Sequence, residues 1–162
     1  MTEKTFLAGY SGQTLEELLA LASTHRVDSI VLAVEEALQK KAPTDLEPPE
    51  RVVLAVEALE REVNNGGYNQ FFLNEPAFAH DITDALDEIG CAETARITRE
   101  AAAVLGIQPD WTIDQIQAAA ADSTDEVDAR LSELDDEFFT YPDQIDDRLL
   151  AFIRTNVNDI RL

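Results

Sequence analysis

The chain has 162 residues, and its 12 Lys plus Arg against 33 Asp plus Glu leave a formal net charge of −21, with 45% of residues hydrophobic. The length fits one domain of the usual ~100–200 residues and is enough to bury a core, and the apolar fraction separates the chain from an acidic disordered segment. The negative balance excludes the basic patch that direct nucleic-acid binding requires and disfavours an anionic membrane surface.

The opening Met1-Thr2-Glu3-Lys4-Thr5-Phe6 lacks a basic segment followed by an apolar one, and no stretch approaches the ~18 apolar residues of a membrane span, so a cytoplasmic protein is expected. Strand signals are nearly absent, and the chain reads as a single all-α domain over 1–162 with about seven to eight short amphipathic helices. Thr14 and Glu17 have capping-box spacing and open a helix through Leu15, Leu18, Leu19 and Ala22. A second helix carries Ile30, Val31, Val34 and Leu38 and ends near Lys40-Lys41, followed by a linker over 42–49. Pro48-Pro49 then starts a third helix whose core stripe is Val52, Val56, Leu59 and Val63.

A break at Asn64-Asn65-Gly66-Gly67 precedes a short segment with Phe71, Phe72 and Leu73 that stops before Pro76. Ile82, Leu86 and Ile89 mark a helix with Gly90 at its C-terminal cap, and Ile97, Ala101 and Leu105 continue the pattern to Gly106. Thr112 with Gln115 and Ser123 with Glu126 are further capping-box candidates, the second opening a helix through Val127, Leu131, Leu134 and Phe138. A last helix carries Ile145, Leu149, Phe152 and Ile153.

The charge is uneven. Residues 81–147 hold 19 Asp plus Glu against Arg96, Arg99 and Arg130, a balance of −16. On a helical wheel starting near Thr124, Asp125 and Asp136 point away from the apolar stripe, Asp128 and Asp135 lie on one flank, and Glu126, Glu133 and Glu137 lie on the other. Such carboxylates are spaced by roughly 5–6 Å on neighbouring turns, close to the phosphate spacing of a nucleic-acid strand. Asp143, Asp146 and Asp147 extend the series. A run of charge is ordinarily a solvated face, and with Lys at only three positions against sixteen Asp the acidity also suits adaptation to a salty interior. The functional alternative is a surface for a basic protein, with fast and salt-sensitive association.

Residues 62–74, Glu62-Val63-Asn64-Asn65-Gly66-Gly67-Tyr68-Asn69-Gln70-Phe71-Phe72-Leu73-Asn74, form the most distinctive stretch. The Asn and Gly residues suit left-handed turns, the Gln70 and Asn74 amides project from one helical face at i,i+4, and Phe71 and Phe72 anchor the segment. Read from turn chemistry, this is a corner between helices whose amides bond exposed carbonyls, with a small-ligand pocket near Gln70 and Asn74 as the alternative. The stretch reproduces the pattern E-V-N-N-G-G-[aromatic]-x-Q-[aromatic]-[aromatic]-x-N and so resembles the DNA mimic protein family. The likeness continues more loosely through Ala85-Leu86, Ile89-Gly90, the Leu134 to Phe139 run and the Leu150 to Arg154 run, covering about residues 50–162. The resemblance implies an all-α fold, commonly a homodimer, without established catalysis or cofactor. It further implies that a member occupies the DNA-binding face of a helix-turn-helix transcriptional regulator through its surface carboxylates.

The residues allow two enzymatic readings. His25, His80, Asp81 and Asp146 have the residue types of an all-α metal-dependent phosphohydrolase, although a His-Asp pair is a weak signal and surface or capping roles are commoner. Cys91 is the single cysteine, so no internal disulfide or thiolate metal site is available, and a small buried side chain suits it better than a nucleophile. No phosphate-binding loop, dinucleotide fingerprint or calcium loop is present. The expectation is therefore a non-enzymatic acidic protein, with no cofactor and no metal, that presents carboxylates to a basic partner such as a DNA-binding regulator. Its interaction residues are Asp125, Asp128, Asp135, Asp136, Glu137, Asp143, Asp146 and Asp147, and its architectural residues Asn64, Asn65, Gly66, Gly67, Gln70, Phe71 and Asn74.

Overall fold

In the computed structural model, which describes residues 3–162, the chain is all-helical. Among the described residues there are eight α-helices: α1 Leu15–Ala20, α2 Val27–Leu38, α3 Pro48–Asn74, α4 Ile82–Glu88, α5 Ala92–Val104, α6 Ile113–Ala121, α7 Asp125–Phe139 and α8 Ile145–Thr155. Three single turns of 3-10 helix and one isolated bridge between Thr5 and His25 complete the inventory. No described helix is long and apolar enough to cross a membrane.

Local chemistry accounts for the helix ends. The expected capping boxes are formed at Thr14 with Glu17 and at Thr112 with Gln115. Gly90, at φ +84°, closes α4 in the expected way. The Cys91 N–H reaches the Leu86 carbonyl at 2.8 Å and the Gly90 N–H reaches that of Asp87 at 3.0 Å, the double closure of a Schellman motif. The expected box at Ser123 and Glu126 is not formed. Thr124 is the N-cap of α7 and accepts from the Val127 N–H, because the Ser123 hydroxyl is turned to Asp128, 2.5 Å away. The third helix also departs from its expected stripe. Val52 is only half-buried, whereas Val53, Ala55, Val56, Ala58 and Leu59 are all buried, so α3 is covered on more than one face.

The chain divides into two compact units, one formed by residues 1–57 with 145–162 and the other by residues 58–144. In the first, α2 packs on α8 and on α1, burying Leu18, Ile30, Val34, Leu38, Leu149 and Ile153. Its Glu50 side chain is fully buried and accepts from Lys41 Nζ at 2.7 Å and from the Arg161 N–H at 2.8 Å. Burial raises this carboxyl, but the bonds from Lys41 and from the Arg161 and Glu47 N–H groups outweigh it and hold it below the usual range. In the second unit α5 packs on α4 and α7, and the core is Leu59, Val63, Tyr68, Phe71, Phe72, Leu86, Ile97, Leu134 and Phe138. Tyr68 and Phe138 meet edge to face with ring centroids 5.9 Å apart.

The expected break in the motif is a kink inside α3. Gly66 has φ −159° and ψ 16°, and Gly67 has φ +82° and ψ −178°, a region open almost only to glycine. A Cβ on Gly67 would stand 2.3 Å from Asp135 Oδ2. Gly106, at φ +74°, has nothing within 4 Å of the same position. Gly106→Ala should therefore cost the left-handed strain alone, about 1–2 kcal/mol. Gly67→Ala should cost more and lower Tm further, because Asp135 has to move as well. Equal losses in chemical denaturation would show that the kink does not depend on that approach.

Candidate functional site

The Glu62 carboxylate organises the motif. Its Oε2 accepts from Gln70 Nε2 and from Asn74 Nδ2, both at 2.8 Å, and Arg61 Nε lies 3.4 Å from Oε1. The two amides therefore converge on a buried carboxylate and not on exposed carbonyls. Gln70 reaches back across Gly66, where a Cβ would come within 1.9 Å of the Gln70 Oε1, so the side chain occupies the space that glycine leaves. Phe71 and Phe72 are fully buried and pack edge to face at 5.1 Å. Asn64 donates to the Glu60 carbonyl and to the Tyr141 hydroxyl, each at 2.8 Å, while Asn65 is exposed.

On the other side of the kink, Asp135 Oδ1 accepts from the Tyr68 N–H at 2.8 Å. The Tyr68 hydroxyl meets Thr98 Oγ1 at 2.9 Å, and burial pushes this phenol well above its ordinary value. The variable position of the motif also has a task that its sequence does not announce. Asn69 Nδ2 donates to the Ala120 carbonyl at 3.0 Å and lies 3.1 Å from Ser123 Oγ, tying the kink to the junction of α6 and α7.

The second unit holds 20 Asp plus Glu against four Arg, a balance of −16. All four Arg are engaged. Arg96 meets Glu93, Glu100 and Glu137, Arg130 meets Glu133 and Glu100, Arg99 meets Asp87, and Arg61 meets Glu62 and Glu75. Surface pairs of this kind add little stability, but between α5 and α7 Arg96 and Arg130 offset half of the charge of Glu93, Glu100, Glu133 and Glu137.

The eight expected interaction residues thus fall into different settings. Asp125, Asp128, Asp136 and Asp147 are exposed. Glu137 is paired with Arg96 at 2.9 Å. Asp135 is half-buried against the kink; burial raises its carboxyl above the usual range, the Tyr68 N–H opposes the rise, and the Asp136 charge adds to it. Asp143 Oδ2 accepts from the Thr94 N–H at 2.8 Å and Thr94 Oγ1 at 2.9 Å, so it caps the first turn of α5. Asp146 is half-buried in the first unit, where burial and the charges of Asp28 and Asp147 raise its carboxyl against the pull of Arg26.

Outside the eight expected interaction residues, Asp84, Glu88, Asp110, Asp114, Asp122 and Glu126 are exposed as well, as are the Arg-paired Asp87, Glu93 and Glu133. The densest group is Asp122, Asp125, Glu126 and Asp128, at the junction that Asn69 and Ser123 hold. Three of these lie in the first turn of α7, where the helix dipole favours each carboxylate by about 0.3–1 kcal/mol.

Among the described residues no group of three His, Cys, Asp or Glu is placed to hold a metal ion. His80 Nε2 donates to the Trp111 carbonyl at 2.9 Å, His25 Nδ1 meets Thr24 Oγ1 at 2.9 Å, and Cys91 is fully buried at the N-terminus of α5. A family model described as DMP19-like protein matches residues 44–156. No curated protein and no solved structure matches the chain.

The Glu62 network makes stability depend on pH. Burial raises this carboxyl, but the bonds from Gln70, Asn74 and Arg61 outweigh it and leave it below the usual range. A carboxyl lowered in the folded state stabilises above its unfolded value, ~4.3, and that contribution is lost as pH falls through the folded value. Glu62→Ala should cost about 1–3 kcal/mol at pH 7 by stranding two amide donors. Glu62→Gln, compared with the wild type by thermal melting, should be less stable at pH 7 and converge with it below about pH 4. A gap that persists unchanged into acid would show that the charge of Glu62 is not what holds the kink.

Proposed function

The chain belongs to the DMP19-like protein family, and from that premise we propose that it is a non-enzymatic DNA mimic whose carboxylates occupy the basic face of a DNA-binding protein. One observation carries this reading: in the second unit every Arg is already engaged within the chain, while Asp122, Asp125, Glu126 and Asp136 are exposed and make no ion pair. Their charge is available to a partner. Asp125 and Asp136 point outward from a helix whose buried side is Leu131, Leu134 and Phe138, so the display is rigid and leaves the core untouched.

The proposed interaction set is therefore narrower than the acidic sequence. Asp125, Asp128 and Asp136 remain in it, joined by Asp122 and Glu126. Asp135 and Asp143 support the fold, and Glu137 is partly compensated by Arg96. A basic partner gains from this arrangement in two ways: long-range attraction accelerates encounter, and fixed carboxylates stand where phosphates would. A helix-turn-helix regulator, which presents Arg and Lys to phosphates and base edges, has the complementary charge.

The competing reading is adaptation to salt, favoured by the scarcity of Lys. The two part on neutralisation. The combined substitution of Asp122, Asp125 and Asp136 by Asn and Glu126 by Gln should weaken capture of basic DNA-binding proteins from a host lysate by about tenfold or more at low salt, and the proteins held by the wild type should elute at modest salt. Circular dichroism should show the same helix content in both. Recovery of one set of proteins on wild-type and neutralised columns alike would reject mimicry and leave the acidity to solvation.

A further inference from the structure

An open cleft of about 440 Å³ adjoins the acidic junction, lined by the end of α5, by α6 and by the start of α7. Its lining is chiefly apolar, with Val104, Leu105, Ala118 and Val127, and it holds Trp111 together with one carboxylate, Asp122. No Lys or Arg is among its lining residues. Trp111 is held by its backbone: its N–H donates to the Gln108 carbonyl at 3.1 Å, and its own carbonyl accepts from His80 at 2.9 Å. Asp110 and Asp114, both exposed, flank it in sequence.

An aromatic ring beside aliphatic side chains, with a carboxylate at the margin and more carboxylates outside, defines a narrow class of guest. A purely apolar side chain would leave Asp122 unused and gain nothing from the surrounding charge. A lysine would place a compact, strongly hydrated cation against the ring. An arginine has a methylene stem for the apolar wall, a flat and weakly hydrated guanidinium that stacks on an indole, and a fork of donors suited to a carboxylate. We propose that this cleft seats an arginine side chain of the basic protein that the acidic surface attracts, with the guanidinium between Trp111 and Asp122. The proposal rests on the mimic reading and adds to it a specificity element that charge alone does not supply.

Trp111 is the chain's single tryptophan, so its emission reports on the cleft directly. The probe is a tryptophan-free dodecapeptide of alternating Arg and Ala, titrated at low salt, with the matching Lys peptide beside it. The Arg peptide should shift and quench Trp111 emission and bind at least fivefold more tightly than the Lys peptide. Ala118→Leu, an exposed position on the cleft wall, should retain the circular dichroism spectrum, abolish the emission change and weaken the Arg peptide about tenfold. Asp122→Asn should erase the preference for Arg over Lys. If the Arg peptide binds wild type and Ala118→Leu equally, in a salt-sensitive way and with Trp111 emission unmoved, the cleft is not the seat, although the acidic surface stands. If neither peptide binds at low salt, both the cleft and the mimic reading are overturned.

Discussion

The Glu62 carboxylate is the constraint on which the second unit depends. A charged group removed from water is costly unless its oxygens are occupied, and here two amides from one face of the helix beyond the kink converge on a single oxygen. That convergence requires Gln70 to lie across Gly66, and it therefore fixes where the backbone folds back. Asp135 performs the complementary task from α7, holding the Tyr68 N–H. The two carboxylates differ in what surrounds them. Burial raises both, but Glu62 collects several donors and ends low, whereas Asp135 has one N–H, a like-charged neighbour in Asp136, and ends high. A kink with a carboxylate on each side resists rearrangement because either movement leaves a buried polar group without its partner.

That architecture sorts the charge. In the sequence the carboxylates of α7 form one undivided series, but the fold uses them for unlike purposes. Asp135 faces the kink, Glu133 and Glu137 meet Arg130 and Arg96, and Asp125, Glu126 and Asp136 face outward. The kink also determines where the outward group stands. Asn69, one residue beyond Tyr68, bonds the last turn of α6 and approaches Ser123, whose hydroxyl donates to Asp128. The 62–74 segment and the acidic junction are thus parts of one hydrogen-bonded construction, although about fifty residues separate them in the chain.

Elements governed by short-range chemistry were readable from the sequence. The Thr14 and Thr112 boxes depend on residues three apart, Gly90 follows from the end of an apolar period, and the all-helical class follows from the repetition of that period. The misplacement at Ser123 has a local origin with a tertiary cause: Ser123 and Thr124 are both competent caps, and the choice is made by Asn69 and Asp128 drawing the first hydroxyl away. On the helical wheel Asp135 lies on a flank, but its partner Tyr68 lies 67 residues earlier. Asp143 caps a helix that begins some fifty residues before it. Spacing within one helix carries no record of such partners, so an acidic run could be recognised as a whole and not resolved into its structural and its available members. Trp111 illustrates the same limit, because its surroundings come from three helices that meet only in the folded chain.

An acidic surface by itself is a poor discriminator, since Coulombic attraction extends to any basic protein and is screened by salt to a range of about 8–10 Å. Selectivity requires a term that a wrong partner fails to satisfy. The junction of α6 and α7 carries groups suited to both terms: exposed carboxylates at Asp122, Asp125 and Glu126, and beside them a cleft lined by Trp111, whose backbone is tied to Gln108 and His80. Duplex DNA divides its recognition similarly, with phosphates that position a protein and base edges that specify it. A protein that imitates only the phosphates inherits the first function. On the reading proposed above, a cleft beside those charges would give such an imitation a counterpart to the second, while the ion pairs of Arg61, Arg96, Arg99 and Arg130 offset part of the remaining negative charge.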